Sequence, residues 1–342
     1  MKIRLRKKMI SLSISALLIS SSMAVKADFP GEFEYGGWVR ADYGNGNRYD
    51  AGGDENLGMS QAAFKLNWSA DDVEAYVLIG AINLIDDDIG NKRKTDVKAA
   101  SLTLYDVFDS DVSMSIGLQP LLFGLKGGGF PGDRSIQASI EFGGTGAMAV
   151  SRQAAPSVIF SAPIGNLTAR GGFFDINSDT EYYFLQSGLG NLEGSSLDKN
   201  YFAELIYQSD TGDGFYGTFG IEGYYIGGSV DSTRPIYDFG LGFRKGRFDV
   251  SVEQFYLDSA ITNTLEDETY SVAEFSYQQN ELTQWYVDYA QADQLDTETF
   301  RLGVSREINK YLSFLIEYSR DELGLQDNKK VDSIDFRLQF KI

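Results

Sequence analysis

Charged side chains at every second position are the residues of this chain best placed to do chemistry. In the last stretch, IDFRLQFKI, Asp335, Arg337 and Lys341 share one parity, while Ile334, Phe336, Leu338, Phe340 and Ile342 share the other. Glu317 alternates with Ile316 and Tyr318, Arg301 with Phe300 and Leu302, and Asp288 with Val287 and Tyr289. Glu274 lies between Ala273 and Phe275, Asp238 between Tyr237 and Phe239, and Lys65 between Phe64 and Leu66. Such groups order water, attract or repel ions and create a field. The chain contains no Cys and no His. That excludes disulfides, thiolate nucleophiles, Cys-held zinc or iron–sulfur centres, a Ser-His-Asp triad and imidazole metal ligands. No enzyme activity and no cofactor are expected.

A period of two marks strands whose two faces meet different surroundings. The pattern predicts sixteen strands, give or take two, the first at about 33–44 and the last at about 330–342. They run to about 9–13 residues, near the span a tilted strand needs to cross lipid and longer than the usual soluble strand. The breaks alternate in length. Residues 69–72, 108–111, 163–166 and 244–247 are tight, whereas 46–55, 85–95, 123–153 and 178–198 are excursions. An even count puts both ends on the tight-turn rim. A soluble β-sandwich also alternates, but ionisable residues on the second face of most strands suit a water-filled lumen better. Lipid offers no partner to an open sheet edge, so a spanning sheet must close on itself. The expected fold is all-β: a closed antiparallel transmembrane β-barrel with short periplasmic turns and longer extracellular loops.

Residues 1–27 have the layout of a secretory signal peptide: a basic head from Lys2 to Lys8, an apolar stretch from Met9 to Ile19, and small-residue positions Val25 and Ala27 before the cut. The domain beyond it is 28–342. Of 342 residues, 30 are Lys or Arg and 49 are Asp or Glu, a formal charge of -19. The leader holds six of the basic residues, so 30 minus 6 leaves 24 against 49, or -25. An acidic chain is a poor generic nucleic-acid binder. Nothing after residue 27 offers 18 consecutive apolar residues, and a lipid anchor through a lipobox would need a Cys.

The leader, the strand-and-loop rhythm over 28–342 and the terminal IDFRLQFKI together resemble a Gram-negative bacterial outer-membrane porin of the sixteen-stranded, general-diffusion type. Members usually end on a C-terminal Phe. This chain ends on Ile342, with Phe340 its last aromatic residue. The resemblance implies a multi-pass barrel in the outer membrane, surrounded by lipid and lipopolysaccharide. It implies a water-filled channel for passive diffusion of small hydrophilic solutes and ions, and a homotrimer. The run Asp86, Asp87, Asp88 reads as a solvated loop that divalent cations could bridge to lipopolysaccharide.

The longest excursion, GLKGGGFPGDRSIQASIEFGGTGAMAVSRQ at 124–153, follows the fifth expected strand. In porins the loop at that place folds into the barrel and narrows it, and IEFGGTG is similar to an acidic-aromatic-Gly-Gly element of those loops. On that resemblance Asp133, Arg134, Glu141 and Arg152 are the constriction-loop candidates. Gating or disorder is the competing reading of so glycine-rich a segment.

Parity turns Arg40, Lys65, Arg170, Arg301, Arg337 and Lys341 inward. It does the same for Glu34, Asp42, Glu204, Glu222, Asp238, Asp249, Glu253, Glu274, Asp288, Glu317 and Asp335. Basic groups gather in the first and last strands and acidic ones in the ninth to thirteenth. That predicts a transverse field, and the acidic excess predicts a mild cation preference unless the constriction itself is arginine-rich. Trp38, Phe174, Phe202, Tyr216, Tyr224 and Tyr286 also have inward parity, which permits a saccharide track, although a one-residue register slip would turn any of them outward. A substrate-selective oligosaccharide channel and a non-transporting structural or adhesive barrel remain alternatives to the diffusion channel.

Overall fold

The computed structural model describes residues 31–45, 56–82, 95–120, 124–125, 154–175, 200–210, 212–226, 232–259, 266–294, 296–323 and 329–341. The expected leader at 1–27 lies outside them. Sixteen strands form one sheet. They are β1 (Glu32–Asn45), β2 (Asn56–Ala70), β3 (Val73–Ile82), β4 (Thr95–Val107), β5 (Val112–Pro120), β6 (Ala154–Ile164), β7 (Leu167–Phe174) and β8 (Asn200–Gln208). The second half comprises β9 (Gly214–Ile226), β10 (Ser232–Lys245), β11 (Phe248–Leu257), β12 (Glu268–Asn280), β13 (Thr283–Ala292), β14 (Thr297–Asn309), β15 (Leu312–Leu323) and β16 (Lys329–Lys341).

Every strand pairs antiparallel with its sequence neighbours, and β1 pairs with β16 from Trp38↔Lys341 to Asn45↔Ile334, so the sheet is a closed barrel. Closure leaves no edge, which is the only way a sheet can satisfy its backbone in lipid. The connections alternate as expected. Two residues separate β2 from β3 and β10 from β11, whereas β5 and β6 are separated by 121–153. The β13–β14 link, 293–296, is the short one on the long-loop rim.

Parity decides what each side chain meets. Phe239 is 59% exposed on the outer face while its neighbour Asp238 is 1% exposed on the inner one. The same contrast separates Val252 from Glu253, Phe275 from Glu274, and Ile316 from Glu317. The exposed apolar band runs around the wall through Phe219, Leu241, Val250, Leu302 and Ile334. A soluble protein does not leave so continuous an apolar surface in water. It is a lipid-facing belt, and no helix of the described residues is long and apolar enough to span. Outer aromatic rings pack across strands near the rims, as in Phe215–Phe243 with centroids 5.0 Å apart and Phe248–Tyr277 at 4.9 Å.

The inner face is tied together by tyrosines that reach over glycines. Tyr286 of β13 stands opposite Gly303 of β14, and Gly303 stands opposite Glu317 of β15. A Cβ at Gly303 would lie 2.1 Å from Tyr286 Cζ, far inside contact distance. The ring therefore crosses β14, and its hydroxyl donates to Glu317 Oε2 at 2.6 Å. Tyr216 of β9 repeats the arrangement over Gly242 of β10 and donates to Asp249 of β11. Each tyrosine thus links three strands through its hydroxyl and a close contact of its ring.

Two substitutions test these assignments. Phe239→Arg, in the middle of the lipid belt, lowers the unfolding free energy by about 2–4 kcal/mol. Gly303→Val displaces the Tyr286 ring and costs about 1–3 kcal/mol. Both are read as shifts of the urea midpoint of the folded barrel in lipid or detergent. An unchanged midpoint for Phe239→Arg contradicts the lipid belt.

Candidate functional site

The expected wall residues are placed by the register. Arg40 and Asp42 of β1 stand opposite Gln339 and Arg337 of β16. Lys65 of β2 is exposed and shares the inner parity with Glu74 and Tyr76 of β3. Arg170 of β7 faces Glu204 of β8 directly, and its Nη1 lies 3.2 Å from Glu204 Oε2. Glu274 of β12 is opposite Asp288 of β13, which is opposite Arg301 of β14, so two acidic groups and one basic group form a row. All three are buried, as are Glu317 and Arg337.

The structure gathers Glu204, Glu222 and Asp238 on one patch of β8–β10. It keeps them apart from Lys65 and Arg40, which lie six or more strands away around the wall. Among the described residues ten acidic side chains are buried against two arginines, Arg301 and Arg337, which makes the wall electronegative.

The start of the long excursion crosses to this acidic wall. The backbone N–H of Gly124 donates to Glu204 Oε1 at 2.8 Å, and that of Leu125 donates to Glu253 Oε1. The Leu125 side chain seats on Gly240 of β10. A Cβ there would meet Leu125 Cβ at 2.8 Å and Thr218 Cγ2 at 3.0 Å. Gly124 is held against Glu253 and the Phe255 ring, and it has φ +86, a conformation a side chain resists. Thr218 Oγ1 lies 3.0 Å from Glu204 Oε1 and 3.1 Å from Asp238 Oδ2 and ties these acids together. Thus the chain leaving β5 touches β8, β10 and β11 rather than staying over its own strand. Asp133, Arg134, Glu141 and Arg152 lie outside the described residues, as do Asp86, Asp87 and Asp88.

Sequence reasoning missed Leu125, Thr218, Gly240 and Phe255. Only Gly240 carried a signal: a glycine on the inner parity of a strand has no side chain to offer the lumen and leaves room for something else. Inner-face apolar residues Ile236, Phe255, Leu257 and Tyr270 were also unforeseen. All are buried, and Phe255 and Tyr270 pack with centroids 6.3 Å apart. Wall bared only to water would not favour them, whereas wall covered by chain would.

The inward aromatics are engaged in different ways. Tyr216 and Tyr286 brace strands as described above. Phe174 and Tyr224 pack edge to face at 5.3 Å, and the Arg170 guanidinium stands 5.8 Å from the centre of the Phe202 ring.

No protein-family model matches the chain, and no curated protein matches it. Solved structures do share its architecture. The anion-selective porin from Comamonas acidovorans superposes with a TM-score of 0.66 at 14% identity, over 91% of this chain and 100% of that one. The outer membrane channel DcaP of Acinetobacter baumannii gives 0.63 at 12% identity, over 93% and 99%. The trimer form of in-vitro folded OmpT, an outer membrane protein of Vibrio cholerae, gives 0.58 at 12% identity, over 92% and 100%. The chain has the fold of the outer-membrane porins.

Gly240→Leu fills the seat of Leu125. The Gly124 and Leu125 amides then exchange hydrogen about tenfold faster or more, while the β10 and β11 amides keep their protection. Unchanged exchange at 124 and 125 contradicts the seat.

Proposed function

We propose that the protein is an outer-membrane porin: a water-filled channel for passive diffusion of small hydrophilic solutes and ions. One observation carries the reading. A closed barrel of sixteen strands has a lipid-facing apolar exterior and a charged interior, and its longest connection begins by crossing that interior at Gly124 and Leu125. A plain structural barrel has no use for ionisable groups lining a cavity, because burying them costs free energy unless water or partners serve them. The solved structures of the same fold are described as porins and channels.

The loop at 124–153 narrows the lumen in this reading, with Asp133, Arg134, Glu141 and Arg152 as its charged groups. The pore wall is formed by Arg170, Glu204, Glu222, Asp238, Glu274, Asp288, Arg301, Glu317 and Arg337, together with Arg40, Asp42 and Lys65. The acidic excess on that wall supports a preference for cations, in contrast to the porin of Comamonas acidovorans, which is described as anion-selective. Tyr216 and Tyr286 are spent on bracing strands, which favours general diffusion over a saccharide track. Residues 1–27 act as the export signal. A homotrimer is proposed on the likeness to the Vibrio cholerae protein, which is described in a trimer form.

Planar-bilayer recording of the purified protein tests the channel. Ohmic steps are expected, with a reversal potential under a KCl gradient that has the sign of potassium selectivity. Folded protein that carries no current overturns the reading, and a reversal of opposite sign overturns the cation preference. Unheated electrophoresis reads the assembly: a band near three times the monomer mass that collapses on heating is expected, and a single monomer band contradicts the trimer.

A further inference from the structure

The described inner wall is not equally covered all the way round. On β8 to β14 its middle is closed off: Glu204, Thr218, Glu253, Glu274, Asp288 and Arg301 are all buried. On β2 to β5 the side chains of the same face stay within reach of water. Lys65 is exposed, and Asn67, Tyr76, Ser101, Thr103 and Ser115 are half-buried. Among the described residues of this sector, burial is confined to Gly80, Ala99 and Gln119, toward the long-loop rim. The chain after β5 agrees with that division, since Gly124 and Leu125 rest on β8, β10 and β11.

The uncovered sector also differs in chemistry. The covered wall carries most of the acids, whereas this one presents hydroxyls and amides. Thr103 Oγ1 lies 3.0 Å from Ser115 Oγ, and Ser115 Oγ donates to Gln119 Oε1 at 2.6 Å. Glu34 and Glu74 lie on the same face but nearer the tight-turn rim, and Glu74 accepts the Tyr105 hydroxyl at 2.6 Å. Lys65 is farther in, one inner-face step beyond Asn67 along β2.

Lys65 stands apart from the other inner-face bases. Arg170 pairs with Glu204 at 3.2 Å, Arg244 with Asp249 at 2.8 Å, and Lys341 with Glu307. Arg301 and Arg337 are buried. Lys65 lies between Gly36 of β1 and Leu78 of β3, neither of which offers a charge. Among the described residues it has no ion pair. A paired charge is largely cancelled by its partner at the distance a passing ion reaches. An unpaired ammonium in open water acts on every ion that comes within a screening length of about 8–10 Å.

We propose that the solute path runs off centre, over the inner face of β2 to β5, and that Lys65 is the side chain on that path that limits cation preference. The assignment rests on the channel reading. It adds where in the lumen a solute passes and which charge it meets there. The buried acids of β8 to β14 act on the path only from a distance, while the Lys65 ammonium acts at contact. One exposed base on a neutral, hydroxyl-lined wall keeps the path open to small anions and to uncharged solutes.

The chain has no Cys of its own, so single cysteines can be labelled without background. Lys65→Cys, Ser101→Cys and Ser276→Cys are treated as folded barrels with 2-sulfonatoethyl methanethiosulfonate, and labelling is read by mass. Lys65→Cys and Ser101→Cys are expected to react, and Ser276→Cys, buried on the inner face of β12, to stay at least tenfold slower. Equal rates at Ser101→Cys and Ser276→Cys overturn the off-centre path, whether or not the protein conducts. Reversal potentials under a KCl gradient read the role of Lys65. The potassium-to-chloride permeability ratio rises about threefold in Lys65→Gln and about tenfold in Lys65→Glu, and Lys65→Arg keeps the wild-type ratio. Attaching 2-aminoethyl methanethiosulfonate to Lys65→Cys returns the ratio to the wild-type value, which a merely structural lysine does not predict. An unchanged ratio in Lys65→Glu overturns the role of Lys65 while the channel stands. Folded protein without any conductance overturns the channel reading itself, and with it the role of Lys65.

Discussion

The pairing of β1 with β16 is the constraint on which the rest of the structure depends. Eight residue pairs, from Trp38↔Lys341 to Asn45↔Ile334, turn a sheet into a cylinder. In hydrocarbon an unpaired N–H or C=O has no water to turn to, so a sheet with an edge cannot span. Once the edge is gone, each strand has one face toward lipid and one toward the interior, and the alternation of Phe239 with Asp238 or Val252 with Glu253 follows. The apolar belt, the charged lumen and the alternating rims are consequences of that closure.

Closure also changes how the interior is held together. Among the described residues, Tyr286 and Leu315 form one buried apolar pair on the inner wall of β13–β15. Cohesion comes from the backbone ladder and from side chains that cross strands. Tyr286 over Gly303 to Glu317 and Tyr216 over Gly242 to Asp249 are two uses of the same device. Arg244 joins the second, pairing with Asp249 at 2.8 Å while its guanidinium stands 5.3 Å from the centre of the Tyr216 ring. A glycine there is not an empty position. It is what allows an aromatic ring to lie flat on the wall and reach two strands away.

The same economy governs the site. Glycines on the inner parity of β10 leave room that other side chains take up, Tyr216 over Gly242 and Leu125 over Gly240. Gly240 receives Leu125 and so places the start of the long connection against Glu204 and Glu253. Gly220 lies buried between Glu204 of β8 and Asp238 of β10. The barrel architecture is shared with proteins of different selectivity, since fold by itself does not set what passes. Selectivity is decided by which inner-face groups meet, and these lie on side-chain positions that can vary without altering the backbone ladder.

The amino-acid sequence by itself determined the class of fold, the number of strands, the alternation of rims and the face on which each wall residue lies. All of these follow from a period of two and from turn length, which are local properties of the chain. Parity alone therefore assigns Glu204, Glu222, Asp238, Glu274, Asp288, Arg301, Glu317 and Arg337 to the interior, where all eight lie. Tertiary structure alone decided who their neighbours are. That Gly124 and Leu125 reach Glu204 and Glu253, 80 and 128 residues away, depends on the stagger accumulated around the whole barrel and on where the chain after β5 turns. Parity carries no information about height along the axis, and two residues on the same face become partners only when their strands are aligned.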